Sequence, residues 1–323
     1  MDVNSIIKQP ILKEFDVFRD RFHSILKSDD DLLNRVLFHL SKRTGKMMRP
    51  TLTLLLAKSL GEINDFTYSS ALSLELLHTA SLVHDDVVDE SKERRGLPSV
   101  HSLFDNKVAV LVGDYLLATS LKCASESTLE IVNVISRLGM HLSEGELLQL
   151  SNISSHSFSE EVYFRVIQNK TADLFAACGQ VAALSQHAEQ AVLEKYKKFG
   201  LLLGMVFQIK DDIFDYLENA EIGKPTANDM REGKLTLPAL YALNTSGDDE
   251  MRKLALRIRS LNATDEEIHN FMKWVIEQGG IAYAERKMEE ICKDALSLIQ
   301  DIQDPEIFHA LSSFLLYCKD RKK

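Results

Sequence analysis

Apolar residues recur along most of this chain three and four positions apart, the spacing that gives a helix one buried face. The pattern predicts helices over 51–60 and 68–83, separated by the turn Gly61-Glu62-Ile63-Asn64-Asp65, then over 106–124 and 128–150. Ser157 and Glu160 have the spacing of a capping box and predict a helix from there to about Gln186. Further helices are expected over 189–217, over 265–277 behind a second box at Thr264 and Glu267, and over 280–300 and 305–318. No stretch shows the period of a strand, and no repeat of fixed length is present. The expected fold class is all-α, a helical bundle forming one domain over 1–323. The segment 218–238 breaks the pattern with Gly223, Pro225, Asn228, Gly233 and Pro238, and carries Lys224, Arg231 and Lys234. It reads equally as a solvated connection and as a lid over an anionic ligand.

One pentapeptide pattern, DDxxD, occurs twice. Asp85-Asp86-Val87-Val88-Asp89 follows the apolar stretch Leu74 to Val83, and Asp211-Asp212-Ile213-Phe214-Asp215 follows Leu201 to Ile209. Aspartate is a poor helix former, so three of them beside a buried face need a reason. Positions one and five of a helix share a face. Asp85 therefore converges with Asp89, and Asp211 with Asp215, and only bound cations turn that repulsion into attraction. The donors are all oxygens, which favours a hard ion such as Mg²⁺ shared with substrate phosphates. A single such cluster is ordinarily a solvated acidic face. Two of them, each beside bases, are a stronger signal.

The bases are Lys46 and Arg49, Arg94 and Arg95, Lys170 beside Thr171, Lys210, and Lys224 with Lys234. Taken singly, each is ordinarily a surface residue. Their joint arrangement with the acids is what a site for two diphosphates requires. Composition narrows the setting. The net charge is -10 over 323 residues, which argues against nucleic acid and against a strongly anionic membrane as main partner. Four scattered cysteines (Cys123, Cys178, Cys292, Cys318) without a CxxC read as free thiols of a reducing, cytoplasmic setting. The stretch MDVNSIIKQPILKEFD shows no signal-peptide pattern, and no run of eighteen apolar residues predicts a membrane span.

Taken in order, these residues resemble the trans-polyprenyl diphosphate synthases, head-to-tail prenyltransferases of the isoprenoid synthase fold, and most closely their long-chain members. The resemblance runs from about Leu33 to Pro238. It is carried by Gly45-Lys46-Met47-Met48-Arg49-Pro50, by His78 to Asp86, by Asp85 to Asp89, and by Arg94 to Gly96. Gly145 to Leu150 (GExxQL), Lys170-Thr171, Phe207 to Asp215 and Gly223 to Pro238 complete the series. It implies a bundle around a central apolar cavity, and a homodimer for which the apolar 106–124 region is a candidate surface, though the same residues suit a core. It also implies that Lys46, Arg49, His78 and Arg95 bind isopentenyl diphosphate. Asp85, Asp89 and Asp211 would bind Mg²⁺ bridged to an allylic diphosphate, supported by Asp86, Asp212 and Asp215. Arg94, Lys170, Thr171, Gln208 and Lys224 would grip the allylic substrate, with Asp229 and Lys234 as weaker candidates. Thr44 and Met47 depart from the family's usual Gly and Arg, and His101 stands where Asn is common. No role is argued for His84.

In such enzymes an allylic cation forms first, and product length follows from the depth of an apolar channel. The helix entering Asp85 places Ser81 and Ala80 roughly 6–8 Å below the metal, where family members with short products carry aromatics. Here both are small, and Leu77 lies one turn further down. Phe104, Leu117, Leu121 and Met140 are candidates for lining or closing the lower channel. The expectation is a product of about C30 to C50, typically for a quinone side chain. The rivals are a short-chain synthase making geranylgeranyl or farnesyl diphosphate, a terpene cyclase, and a non-catalytic partner of an active homologue. The basic end Lys319-Asp320-Arg321-Lys322-Lys323 is expected to be a frayed tail, with peripheral membrane contact the lesser alternative.

Overall fold

A computed structural model describes residues 3–42, 45–94, 96–153, 156–217 and 227–321. Among the described residues the regular elements are helices apart from one short antiparallel pair, Glu93–Arg94 with Leu97–Pro98. The chain divides into two compact units. One comprises Met1–Met140, Leu174–Gly200 and Leu298–Phe314, and the other His141–Asp173, Leu201–Ser297 and Leu315–Lys323.

The first unit is organised by the Asp65–Val88 helix, which packs against Asn106–Ser125 and Met48–Lys58. The Asn64 side chain caps it by accepting from the Thr67 N–H at 2.9 Å. Leu72, Leu74, Leu76, Leu77, Ala80 and Val83 are all buried, so the helix is enclosed on more than one side. Small residues bring its partner close. Ser73 and Ser120 each donate a hydroxyl to the other's carbonyl at 2.8 Å. A Cβ at Gly113 would lie 2.1 Å from His84 Nε2, so only glycine lets the imidazole lie there. Asn106–Ser125 is long and apolar enough to cross a membrane, with mean hydropathy 1.4. Lys107, Asp114 and Lys122 break it up, so it is not an unbroken run of eighteen apolar residues. Ahead of residue 51 the helices Leu12–Ile25 and Asp31–Ser41 bury Phe15, Phe18 and Phe22, a segment the helical pattern had not marked.

The second unit packs Leu237–Ser246, Asp249–Arg259, Asp265–Glu277 and Gly280–Ser297 around Leu237, Leu240, Phe271 and Val275. The Thr264–Glu267 capping box forms as expected. The Ser157–Glu160 box does not. Ser159 is the cap, accepting from Val162 N–H. The two residues of the expected box have other partners: Arg259 Nη1 donates to the Ser157 carbonyl at 2.7 Å, and the Tyr283 hydroxyl donates to Glu160 at 2.9 Å. The helix begun at Glu160 is interrupted by a π-helical turn, Gln168–Ala172, before it resumes at Asp173. Of the segment 218–238, residues 218–226 lie outside the described residues. Asn228–Arg231 forms a helical turn and Leu237 begins the next helix.

Candidate active site

The first aspartate cluster ends the Asp65–Val88 helix. The Asp89 N–H still donates to the Asp85 carbonyl at 2.8 Å, so helical geometry carries through and the two carboxylates leave one face. Asp89 is exposed and Asp85 half-buried, whereas Asp86 is buried and accepts from Arg94 Nε at 2.6 Å. His78, one helical face away, is buried too. His78, Asp86 and Arg94 line one small cavity of about 50 Å³ with Gly45, Glu75, Thr79 and Phe22. Lys46 is exposed, and Arg49 lies half-buried with its guanidinium 5.1 Å from the Phe175 ring. Neither lines that cavity. Arg95 lies outside the described residues.

The second cluster closes the Gln190–Phe214 helix, and each of its aspartates is held differently. Asp211 Oδ1 pairs with Arg321 at 2.7 Å. Asp212 is buried, accepting from the Tyr163 hydroxyl at 2.7 Å and from Gln208 Nε2 at 2.8 Å. Asp215 accepts from the backbone N–H groups of Asn228 and Asp229, each at 2.9 Å, and so fixes the helical turn Asn228–Arg231. Burial pushes Asp212 well above the usual carboxylate range, and pushes Asp215 up against the pull of its two N–H donors. Burial, then the neighbouring Asp215 charge, lifts Asp229 to about 7.

Around this cluster lies a cavity of about 230 Å³ lined by Lys170, Thr171, Gln208, Asp212, Asp229 and Lys234, with Gln149, Tyr163 and Arg259 among the others. Thr171 donates to Gln208 Oε1 at 2.8 Å, and Gln208 donates in turn to Asp212. Lys234 pairs with Glu232 at 2.5 Å. Lys170, in the π-turn, pairs with Glu146 and donates to Gln149 Oε1 at 3.1 Å. The structure thus gathers Lys170, Thr171, Gln208, Lys234, Asp212 and Asp229 into one pocket. Lys224 lies outside the described residues.

Four contributors were not picked out by residue type. Tyr163 carried no signal, since an aromatic at helical spacing reads as core. Glu146 and Gln149 stood inside a motif to which no role was attached. Arg321 belonged to a tail expected to fray, and that expectation is corrected. Its side chain is 9% exposed, pairs with Asp211, donates to the Phe207 carbonyl at 2.7 Å and lies 3.9 Å from the Phe207 ring. An aromatic wall and a carboxylate hold the guanidinium where solvent was expected to.

Among the described residues no three His, Cys, Asp or Glu side chains already converge to hold a metal ion. The donor set nonetheless fits one: Asp85 and Asp89 offer oxygens on one face, partly open to solvent. Of the channel residues, Ala80 and Leu77 are buried and Ser81 is half-buried. Met140 and Leu121, named as candidates for the channel floor, are exposed.

The family model described as "Polyprenyl synthetase" matches residues 30–275. The chain belongs to this family. It is 34% identical to the octaprenyl diphosphate synthase of Haemophilus influenzae, over 92% of this chain and 90% of that one. Among solved structures it is similar to the geranylgeranyl pyrophosphate synthase from Bacteroides thetaiotaomicron (48% identity, TM-score 0.87, 99% of this chain and 100% of that one). It is also similar to a polyprenyl synthase from Caulobacter crescentus complexed with calcium and isoprenyl diphosphate (30% identity, TM-score 0.91, 99% and 98%). The protein is therefore a prenyltransferase of the isoprenoid synthase fold, a type whose members generally depend on a metal and act on isoprenyl diphosphates.

Proposed function

We propose that this chain acts as one domain to condense isopentenyl diphosphate with an allylic diphosphate, in head-to-tail fashion and with Mg²⁺, giving an all-trans product of about C30 to C50. The observation that carries the reading is the pocket in which Lys170, Thr171, Gln208 and Lys234 stand beside the second aspartate cluster, in a chain of this family. The barrier to reaction is the separation of an allylic cation from its diphosphate. Lys170, and Arg94 from the first cluster, stabilise the departing charge electrostatically. Lys46, Arg49, His78 and Arg95 hold isopentenyl diphosphate so that its double bond meets the cation. Mg²⁺ held by Asp85, Asp89 and Asp211 would supply further charge for the leaving diphosphate. The released diphosphate accepts the proton, which fits a site without an assigned protein base.

Small side chains at Ala80 and Ser81 support the long product, and a quinone side chain is its expected use. The 48% identity to a structure named as a geranylgeranyl pyrophosphate synthase supports a second reading, a C20 product. Exposed apolar residues on the Asn106–Ser125 and Leu129–Ile153 helices, among them Leu111 (67% exposed) and Leu129 (72%), support a homodimer. Cytoplasmic location with at most peripheral membrane contact completes the proposal.

Purified protein incubated with farnesyl diphosphate, labelled isopentenyl diphosphate and Mg²⁺ tests it. A ladder ending at C30 or beyond upholds the long-chain reading. A stop at C20 transfers the assignment to the second. No incorporation from any allylic primer would leave a non-catalytic partner of an active homologue.

A further inference from the structure

The GExxQL segment, Gly145 to Leu150, has no role in the reaction as described so far, yet its helix face is shaped to one lysine. His141, Gly145 and Gln149 are spaced four apart and share a face of the Leu129–Ile153 helix. Against that face runs the π-turn Gln168–Ala172. His141 Nδ1 and Asp173 Oδ2 lie 2.6 Å apart at one end of the turn, where Gln168 also donates to Asp173 at 3.4 Å. At the centre, a Cβ on Gly145 would lie 2.8 Å from Asn169 Cβ, 2.9 Å from Lys170 Cγ and 3.2 Å from the Lys170 amide nitrogen. Two of those atoms belong to the turn's backbone or lie directly beside it, so the turn sits this close only because residue 145 is glycine. At the other end, Glu146 Oε2 pairs with Lys170 Nζ and Gln149 Oε1 accepts from it at 3.1 Å.

We propose that Glu146 and Gln149 are positioning residues that aim the Lys170 ammonium at the departing diphosphate. A lysine head is a point charge on a flexible four-carbon stem, with three N–H donors and no preferred direction. Two acceptors on one helical turn take two of those donors, and the third is left for a ligand. Lys170 and Gln149 line the cavity and Glu146 does not, so the carboxylate holds the ammonium from behind. Among the described residues Glu146 Oε1 is buried with no hydrogen-bond partner, which ties the carboxylate's placement to its pairing with Lys170. The π-turn is what makes the meeting possible: its extra residue per turn re-aims the side chains it carries. The cost of this arrangement is a carboxylate that weakens the pull of Lys170 on any anion. Its benefit is a fixed direction, which matters more in the transition state than in the bound ground state.

This inference rests on the reading that Lys170 grips the allylic diphosphate, and the test separates the two. Glu146→Gln, Glu146→Asp, Lys170→Gln and the double variant Glu146→Gln/Lys170→Gln are compared with the parent in prenyl transfer. Inorganic pyrophosphate binding by calorimetry and thermal melting are measured beside it. Glu146→Gln is expected to lower kcat roughly 10- to 100-fold, with pyrophosphate bound more tightly than by the parent and the melting temperature held. Glu146→Asp recovers part of kcat. The double variant is no worse than Lys170→Gln alone. If kcat is unchanged, if kcat and pyrophosphate affinity fall together with the melting temperature, or if the two losses multiply in the double variant, the positioning role is wrong. If the parent transfers no prenyl group, the functional reading fails on its own, and pyrophosphate binding still decides. A change in affinity on Glu146→Gln that disappears in the Lys170→Gln background upholds the coupling of the two residues, and its absence overturns it.

Discussion

The two aspartate clusters share one spacing and live in different surroundings. In the first, Asp86 is buried against Arg94 while Asp85 and Asp89 reach toward solvent at a helix end. In the second, every aspartate has a structural duty: Asp211 faces Arg321, Asp212 closes the chain Thr171–Gln208–Asp212–Tyr163, and Asp215 fixes the turn at Asn228 and Asp229. The same pattern therefore serves two ends. In one copy the outer aspartates lie half-buried and exposed at a helix end. The other is woven into hydrogen bonds, and burial raises the proton affinity of Asp212 and Asp215. A shared aspartate spacing does not imply shared electrostatics, because desolvation and partners are tertiary properties.

The largest effect expected from breaking the comparison is at the first cluster. Asp89→Ala should lower kcat for prenyl transfer by roughly 10²- to 10³-fold, as loss of a charge-stabilising group does. Its melting temperature should stay near the parent's, because the side chain is exposed. A comparable drop in melting temperature would show that the first cluster is as structural as the second.

Tyr163→Phe probes the second cluster. It leaves a buried Asp212 oxygen without its donor and should cost about 1–3 kcal/mol in chemical denaturation. A loss within measurement error would mean that the Asp212 network is dispensable.

The pH dependence of the metal-free protein sharpens the contrast further. Folded Asp229 keeps its proton to about 7, against an ordinary value of 3.8. Between those values the folded state binds more protons than the unfolded one, so stability is greatest below about 4 and declines as pH rises toward 7. Asp212 and Asp215 shift in the same direction. Melting curves in chelator from pH 5 to 8 should fall from this source, and Asp229→Asn should flatten the slope. Unchanged slopes would show that the second cluster is not the origin.

Arg321→Ala should have the smallest effect, at most about 1 kcal/mol, since Asp211 is partly solvated and an exposed partner weakens an ion pair. It makes Asp211 resemble the aspartates of the first cluster. Divalent-ion titration of this variant, read by thermal shift, should show tighter binding than the parent. Equal binding would mean that Arg321 does not compete for the carboxylate.

Much of the helical frame was legible along the chain. The Thr264–Glu267 box formed because both partners lie within four residues of each other. The Ser157–Glu160 box did not form because the helix starts at Glu160 with Ser159 as its cap, and the distant Tyr283 engages the Glu160 carboxylate. Residues 228–231 read as loop and form a helical turn, stabilised by Asp215 from outside it. At the site, the acids and bases were recognisable by type and order. Tyr163 and Arg321 were not, since one looks like core and the other like a solvated end.

The sequence by itself determined the class of fold, the order of the motifs and the chemistry of the donors, because these depend on residue type and on spacing within one or two turns. Only the tertiary structure decided which aspartates are buried and which face solvent, that a π-turn and a glycine set Lys170 against Glu146 and Gln149, and that Arg321 ends on Asp211. Those outcomes arise from groups far apart in the chain, whose charges and hydrogen bonds gain strength only when folding removes the water between them.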